Sequence, residues 1–324
     1  MIRILLAALV LAATATPAAA GAEPPVVRAV PASAPLQATD SAEVIAGDSD
    51  RYLRFTVPVM IEGRGPFQFM VDTGAEATVV TDRVQRQVPL EPRGRAVVVG
   101  MASRVEVGLV GLDGLEFAAR VFDGLEVPLL EAHNVGADGI LGLDTLQDLR
   151  VLIDFRADTI AVDDAAALGG NKGYEIVVKA RRKLGRLIIT EATIDNVRTA
   201  VILDTGAQTS IGNLALQRRL RAREREIVSN KDVNGAEIVG AIDFARTLRL
   251  DEIQIENLPI MFADGPAFEQ LGLADRPAMI LGMRDLRVFD RVAIDFASRR
   301  ILFDAPAANW RAPRINTGTG PSRL

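Results

Sequence analysis

Val71-Asp72-Thr73-Gly74-Ala75 closes one apolar run, and Leu203-Asp204-Thr205-Gly206-Ala207 closes another 132 residues further on. Each copy has a distant companion. Gly139-Ile140-Leu141-Gly142 precedes a Leu-rich segment ending in Ile153-Asp154-Phe155, and Met279-Ile280-Leu281-Gly282 precedes one ending in Ile294-Asp295-Phe296. The companions recur at offsets of 140 and 141 residues, so order and spacing are both repeated. At average residue usage a specified tetrapeptide arises by chance on the order of 10⁻⁵ per site. Two copies in phase therefore mark an internal repeat. Two such carboxylates facing each other would make an acid/base pair able to activate water.

The bulk composition narrows what that pair can belong to. A chain of 324 residues has room for two domains, each with its own core. The net charge of −5 gives no general drive toward nucleic acid or anionic membrane. The basic stretch Arg218-Arg219-Leu220-Arg221-Ala222-Arg223 is interleaved with Leu220 and followed by Glu224 and Glu226, which suits the solvated face of a helix. Cysteine is absent, which removes disulfides, thiol nucleophiles and thiolate metal sites. One histidine, His133, falls in an expected surface loop; a His-rich metal site is excluded, and no Ser nucleophile motif lies near it. No metal or organic cofactor is expected.

Residues 1–20 have the parts of a secretory signal: Arg3, an apolar run from Ile4 to Ala13, and Ala18-Ala19-Ala20 as a small-residue cleavage site. The run is short for a membrane span. Cleavage near Ala20 and an exported product, periplasmic or secreted and without a membrane anchor, are expected; an uncleaved anchor is the alternative. Residues 21–48 form a Pro/Ala-rich linker without a strand or helix period. The first lobe is expected over 49–168, the second over 169–306, and a disordered tail over 307–324.

Within the first lobe, Tyr52–Ile61 and Phe67–Val71 flank a Gly63-Arg64-Gly65-Pro66 turn and form a hairpin feeding Asp72. Arg95–Val99 and Arg104–Val107 flank a Gly100-Met101-Ala102-Ser103 tip. Strands at Leu115–Phe117 and Val127–Leu130 follow, and a short helix is expected from Leu143 to Leu149. The second lobe repeats this order with a longer lead-in from Tyr174, expected to make a longer hairpin. There Glu226–Val228 and Ala236–Val239 flank Asn234-Gly235, a dipeptide favoured in tight β-turns. Gly74 and Gly206 permit close backbone approach, and the hydroxyls of Thr73 and Thr205 can brace the opposite turn.

These motifs carry a family resemblance. The doubled Asp-Thr-Gly-Ala, each followed by Ile-Leu-Gly and a short helix, resembles the aspartic peptidases, and Ala75 and Ala207 in fourth place resemble the retropepsin-like branch. The resemblance covers most of residues 50–305. It implies a mostly β chain of two homologous acid-protease β-barrel lobes, each with one or two short helices. Thr78 sits where retroviral proteases keep a Thr, and Ser210 takes that place in the second copy. Retroviral enzymes assemble the site from two identical chains; a tandem chain is expected to assemble it alone, as a monomer.

The resemblance further implies that Asp72 and Asp204 are catalytic, sharing a proton and a water, with Thr73, Gly74, Ala75, Thr205, Gly206 and Ala207 supporting them. Gly100, Met101, Asn234 and Gly235 become flap candidates that close over substrate. Pepsin-type sites carry a hydroxyl where Ala75 and Ala207 stand, and its absence points to activity nearer neutral pH. Two departures stand out: neither flap candidate contains Tyr, and the Gly-Arg-Asn/Asp run of retroviral enzymes is Gly142-Leu143-Asp144 in one lobe and Gly282-Met283-Arg284-Asp285 in the other.

The expected function is an aspartic endopeptidase acting on peptide or protein substrate in extended conformation. The alternative is a catalytically silent peptide-binding or scaffolding module, favoured if the long lead-in of the second lobe fills the cleft. Two purely structural β-domains would leave the in-phase recurrence of the Ile-Leu-Gly strands unexplained. Asp154 and Asp295 are expected to be strand-end residues pairing with backbone or Arg, and Glu76 and Gln208 to face either substrate backbone or solvent.

Overall fold

The computed structural model describes residues 2–5, 9–10, 26–29, 48–49, 55–171, 174, 176–183, 186–223 and 225–306. The tail expected at 307–324 and the first residues of the expected Tyr52 strand lie outside the described residues. Strand dominates, arranged as two curled sheets, one per lobe, with a five-stranded sheet between them.

The strand that ends at Asp72 shows how sequence pattern sets depth. Phe55–Ile61 alternates, with Phe55, Val57, Val59 and Ile61 buried and the residues between them half-buried, as a strand covered on one face must. Its antiparallel partner Arg64–Val71 starts exposed and finishes with the continuous buried run Phe69-Met70-Val71. That finish is buried on both faces because Gly139–Leu141 lies parallel on its other side. In the second lobe Ala200–Leu203 lies in the same way between Arg186–Ile189 and Ala278–Leu281.

The repeat fills this position with different partners in the two lobes. Phe69 pairs with Gly139, and a Cβ on Gly139 would stand 2.3 Å from the Phe69 ring. The corresponding pair in the second lobe is Val201 with Met279. One lobe packs a ring against bare backbone and the other packs two side chains of middling size, each a way of leaving no void.

Three expectations need correction. Among the described residues each lobe carries three short helices instead of one or two: Asp82–Gln85, Ala132–Val135 and Leu143–Leu146 in the first, and Leu214–Leu220, Pro266–Gln270 and Met283–Leu286 in the second. Most are a single turn, too short for a 3.6-residue period to register. His133 thus sits in a helical turn and not a loop, with its side chain exposed beside Glu131. Only the first half of the basic stretch lies on a helix, Leu214–Leu220, in which Ala215 and Leu216 are buried and Arg218 and Arg219 exposed; Asn213 caps its start by accepting from Leu216 N–H at 2.9 Å, and Arg221 ends it in the left-handed conformation.

Second, the span expected to be linker contributes a strand. Val26–Ala29 adds antiparallel to Ile253–Glu256, an open edge that two consecutive valines suffice to extend. Ile2–Leu5 likewise lies parallel to Ala96–Val99, and Ile4 is buried with Met70, Ala75 and Val79.

Third, the lead-in of the second lobe is not one longer hairpin. Ile176–Lys179 leaves to pair with Arg300–Asp304 at the edge of the five-stranded sheet. The centre of that sheet joins the lobes. Arg150–Asp154 and Arg291–Asp295 run antiparallel, so Arg150 faces Asp295 and Asp154 faces Arg291. Arg150 and Asp295 form an ion pair at 2.6 Å with side chains 1 % and 3 % exposed. Burial pushes the Asp295 carboxyl up, but the Ser298 N–H and the Arg150 guanidinium outweigh it and hold the group below the usual carboxylate range. Asp154 accepts from the N–H groups of Arg156 and Ala157.

Candidate active site

Both Asp-Thr-Gly-Ala turns come to the lobe boundary at the ends of their buried strands. Each is held from behind by the Ile-Leu-Gly strand of its own lobe: Asp72 N–H donates to Leu141 O and Asp204 N–H to Leu281 O, both at 3.1 Å. The following turn is tied as well, since Leu143 N–H donates to Ala75 O and Met283 N–H to Ala207 O. This explains why the two motifs recur together in sequence: neither turn is fixed without its companion.

The threonines bind the lobes to each other. Thr73 Oγ1 donates to Leu203 O at 3.0 Å and Thr205 Oγ1 to Val71 O at 2.7 Å. Each hydroxyl also accepts the opposite Thr N–H, at 3.0 and 3.2 Å. The glycines allow the final approach. A Cβ on Gly74 would stand 2.3 Å from Asp204 Oδ2, and one on Gly206 would stand 2.3 Å from Asp72 Oδ2. Each carboxylate therefore rests against the opposite glycine.

Asp72 and Asp204 are fully buried. Asp72 Oδ1 accepts one backbone N–H, from Gly74 at 2.7 Å. Asp204 Oδ1 accepts two, from Gly206 at 2.9 Å and Ala207 at 3.1 Å. Burial, followed by the charge of Asp204, pushes the Asp72 carboxyl well above its ordinary value. Burial also raises Asp204, though its backbone donors and Arg186 pull the other way. Two buried carboxyl groups in contact cannot both ionise cheaply, so their titration belongs to the pair. Ala75 and Ala207, both buried, bring no hydroxyl that would lower it.

Behind each turn lies a polar bracket. Thr78 donates from both its N–H and its hydroxyl to Asp144, at 2.9 and 2.7 Å, while Ser210 Oγ donates to Asp285 at 2.5 Å. The Thr78 and Ser210 hydroxyls also accept the N–H groups of Gly142 and Gly282. Arg284 lies 3.4 Å from Asp285.

The tips of the two flap candidates meet each other. Pro92–Val99 and Arg104–Leu112 form the first hairpin, and Glu226–Asp232 with Glu237–Leu250 form the second. Gly235 alone takes the left-handed conformation, at φ 80°, in a three-residue loop closed by Asp232 and Ala236. The tips exchange apolar residues. Met101 of the first flap is buried in the second lobe's cluster with Ile202, Ala207 and Phe268. Val233 of the second is buried with Ala75, Val79 and Val135 of the first lobe.

Asp232 joins the two tips, a role no local sequence signal announced. Its Oδ1 accepts the N–H groups of Asn234 and Ala236, both at 3.0 Å, holding its own turn. Its Oδ2 accepts Ser103 Oγ at 2.7 Å and Ala102 N–H at 3.1 Å from the other flap. Asn234 Nδ2 adds a bond to Ser103 Oγ at 2.9 Å, and Gly100 fits because a Cβ there would stand 2.3 Å from Asp232 Oδ2. Asp232→Ala should free both tips. Amide exchange at 100–103 and 233–236 is expected to speed up about tenfold or more, since bonds to a charged acceptor contribute about 1.5–3 kcal/mol each. Unchanged exchange at both tips would show that the latch does not hold the flaps shut.

Comparison with known families agrees with this architecture lobe by lobe. Residues 57–148 match the family described as gag-polyprotein putative aspartyl protease, and residues 190–284 match the family described as aspartyl protease. No curated protein matches the chain. Each match contains one Asp-Thr-Gly-Ala turn together with the Ile-Leu-Gly strand that fixes it, and on those two tandem domains the chain belongs to the retropepsin-like aspartic protease family.

Proposed function

We propose that the chain is an aspartic endopeptidase whose single site takes one carboxylate from each lobe. The observation that carries this reading is the pairing of Asp72 and Asp204, both fully buried, each set against the glycine of the opposite turn. Asp204, with two backbone donors, suits the ionised member and Asp72, with one, the protonated member. Asp204 takes a proton from water as the water oxygen bonds to the peptide carbonyl carbon, and the Asp72 proton passes to the carbonyl oxygen. Asp204 then gives its proton to the amide nitrogen as the carbon–nitrogen bond breaks, and Asp72 takes one back from a gem-diol hydroxyl, leaving a carboxylic acid, an amine and the pair as it began. The substrate is an extended peptide segment lying between the lobes beneath both flaps. Export to the periplasm after loss of residues 1–20 would place the enzyme among unfolded or extended exported chains.

The pH dependence follows from the dyad. Catalysis needs one carboxylate ionised and one protonated, so activity rises through the lower apparent pKa of the pair and falls through the upper. Both groups are shifted upward, which moves the whole bell upward. Cleavage of denatured protein by the chain from Gly21 onward should peak above about pH 4, the ordinary carboxyl range. A peak below that would contradict the assignment. The silent binding module is favoured by the shut, interlocked flaps; binding of extended peptide without cleavage at any pH would establish it.

A further inference from the structure

Arg186 is among the largest side chains buried in the molecule, 1 % exposed, and it lies at the dyad although neither repeated motif contains it. It opens the strand Arg186–Ile189, next to the Asp204 strand in the second lobe. Its side chain crosses to the first lobe. Nε donates to Gly74 O at 2.8 Å, and Nη2 donates to the same oxygen. A guanidinium is normally left in water, and removing it from solvent costs several kcal/mol unless charge compensates.

The compensation is visible in what faces it. Glu76, Asp204 and Asp72 are the acids whose charge stabilises the Arg186 cation, against the effect of burial. In return, the cation opposes the upward shift that burial gives both members of the dyad. The two lobes differ here, since the position two residues after the turn glycine is Glu76 in the first and Gln208 in the second.

We propose that Arg186 is a positioning residue for the dyad, supplied across the lobe boundary: its guanidinium fixes the Gly74 carbonyl, and with it the Asp72 turn, while its charge keeps one carboxylate of the buried pair ionised. A buried pair without this countercharge would take up a second proton and lose its base. The inference rests on the peptidase reading for its catalytic meaning, but its electrostatic content stands apart from turnover.

The test compares the chain from Gly21 onward with its Arg186→Lys, Arg186→Gln and Arg186→Met variants, each checked for folding by thermal melt. Two readouts are needed: the pH–rate profile of peptide cleavage, and the ¹³C titration of labelled Asp carboxyl carbons. Loss of the cation raises the dyad's apparent pKa values, so Arg186→Gln should move both readouts upward by about one pH unit or more. Arg186→Lys, which keeps charge but loses the paired grip on Gly74 O, should keep the wild-type titration while lowering kcat. Arg186→Met should repeat the Gln result and serves if the Gln variant does not fold. An unmoved carboxyl titration in the Gln and Met variants overturns the proposal, as does an equal displacement in Lys and Gln, which would mark a merely structural role. If no variant and no wild-type protein cleaves peptide, the peptidase reading falls and the carboxyl titration alone decides the role of Arg186.

Discussion

Asp72→Asn and Asp204→Asn, each made alone, are expected to lower kcat/KM for peptide cleavage by at least about 10³-fold, within the range removed with one acid–base group. Either variant leaves the pair without its full proton inventory: Asn in place of Asp204 removes the base, and in place of Asp72 the acid. Both variants should also be more stable than the parent at neutral pH. A group whose folded pKa is raised penalises the folded state above its unfolded pKa, and the penalty grows until pH passes the folded pKa. Removing one carboxyl of the pair relieves it, by about 1.4 kcal/mol for each pH unit that had separated the folded from the unfolded titration. Urea unfolding at pH 7 beside a peptide assay checks both halves. A variant that loses activity and stability together would mean that the substitution had disrupted the Thr73 and Thr205 bonds between the turns and had not tested the chemistry.

Arg150→Met is expected to cost about 3–5 kcal/mol, because it strands the Asp295 carboxylate in a buried site. The guanidinium now meets Asp295 Oδ2 at 2.6 Å and Asn171 Oδ1 at 2.8 Å, and donates to Gly170 O. The loss should shrink in acid. Asp295 is held below the usual range, so its contribution is present above its unfolded pKa and is lost as pH falls through the folded value. Adding Asp295→Leu to Arg150→Met should recover most of the stability, since an apolar pair replaces an ion pair at little cost. Because this pair joins the two lobes, the single variant should also weaken the site that both must build. A urea midpoint unchanged in the single variant would show that the inter-lobe sheet does not depend on it.

The repeat made the central architecture legible. Asp72, Asp204 and their Ile-Leu-Gly companions are local patterns tied by hydrogen bonds that the spacing itself encodes. Hairpins flanking Gly100-Met101 and Asn234-Gly235 were visible from alternation and turn chemistry, though the flap strands extend well beyond the predicted runs. Two of the helices were legible, the turn expected from Leu143, which ends at Leu146, and Leu214–Leu220 through its basic face, whereas the other short turns leave no period to detect. Nor was the destination of Ile176–Lys179, because an apolar strand carries no address for its partner.

The inter-lobe sheet did leave a signal. Arg150 with Asp154, and Arg291 with Asp295, are self-complementary when one strand is reversed against the other, and that is the observed register. Asp232 and Arg186 were beyond reach for a different reason. Each acts on the opposite lobe, Asp232 on Ser103 and Arg186 on Gly74, and no sequence spacing predicts which residues two folded lobes will present to each other.

Whether one carboxylate from each lobe makes a single catalytic pair is decided by cleavage of a denatured protein mixture by the chain from Gly21 onward. The assay runs from pH 3 to 8 beside the two Asp→Asn variants, a range that brackets the ordinary carboxyl value of about 4. A shared pair gives bell-shaped cleavage with its maximum above about pH 4, abolished by either substitution. Cleavage that survives either substitution, or its absence from the parent protein at every pH, would contradict it.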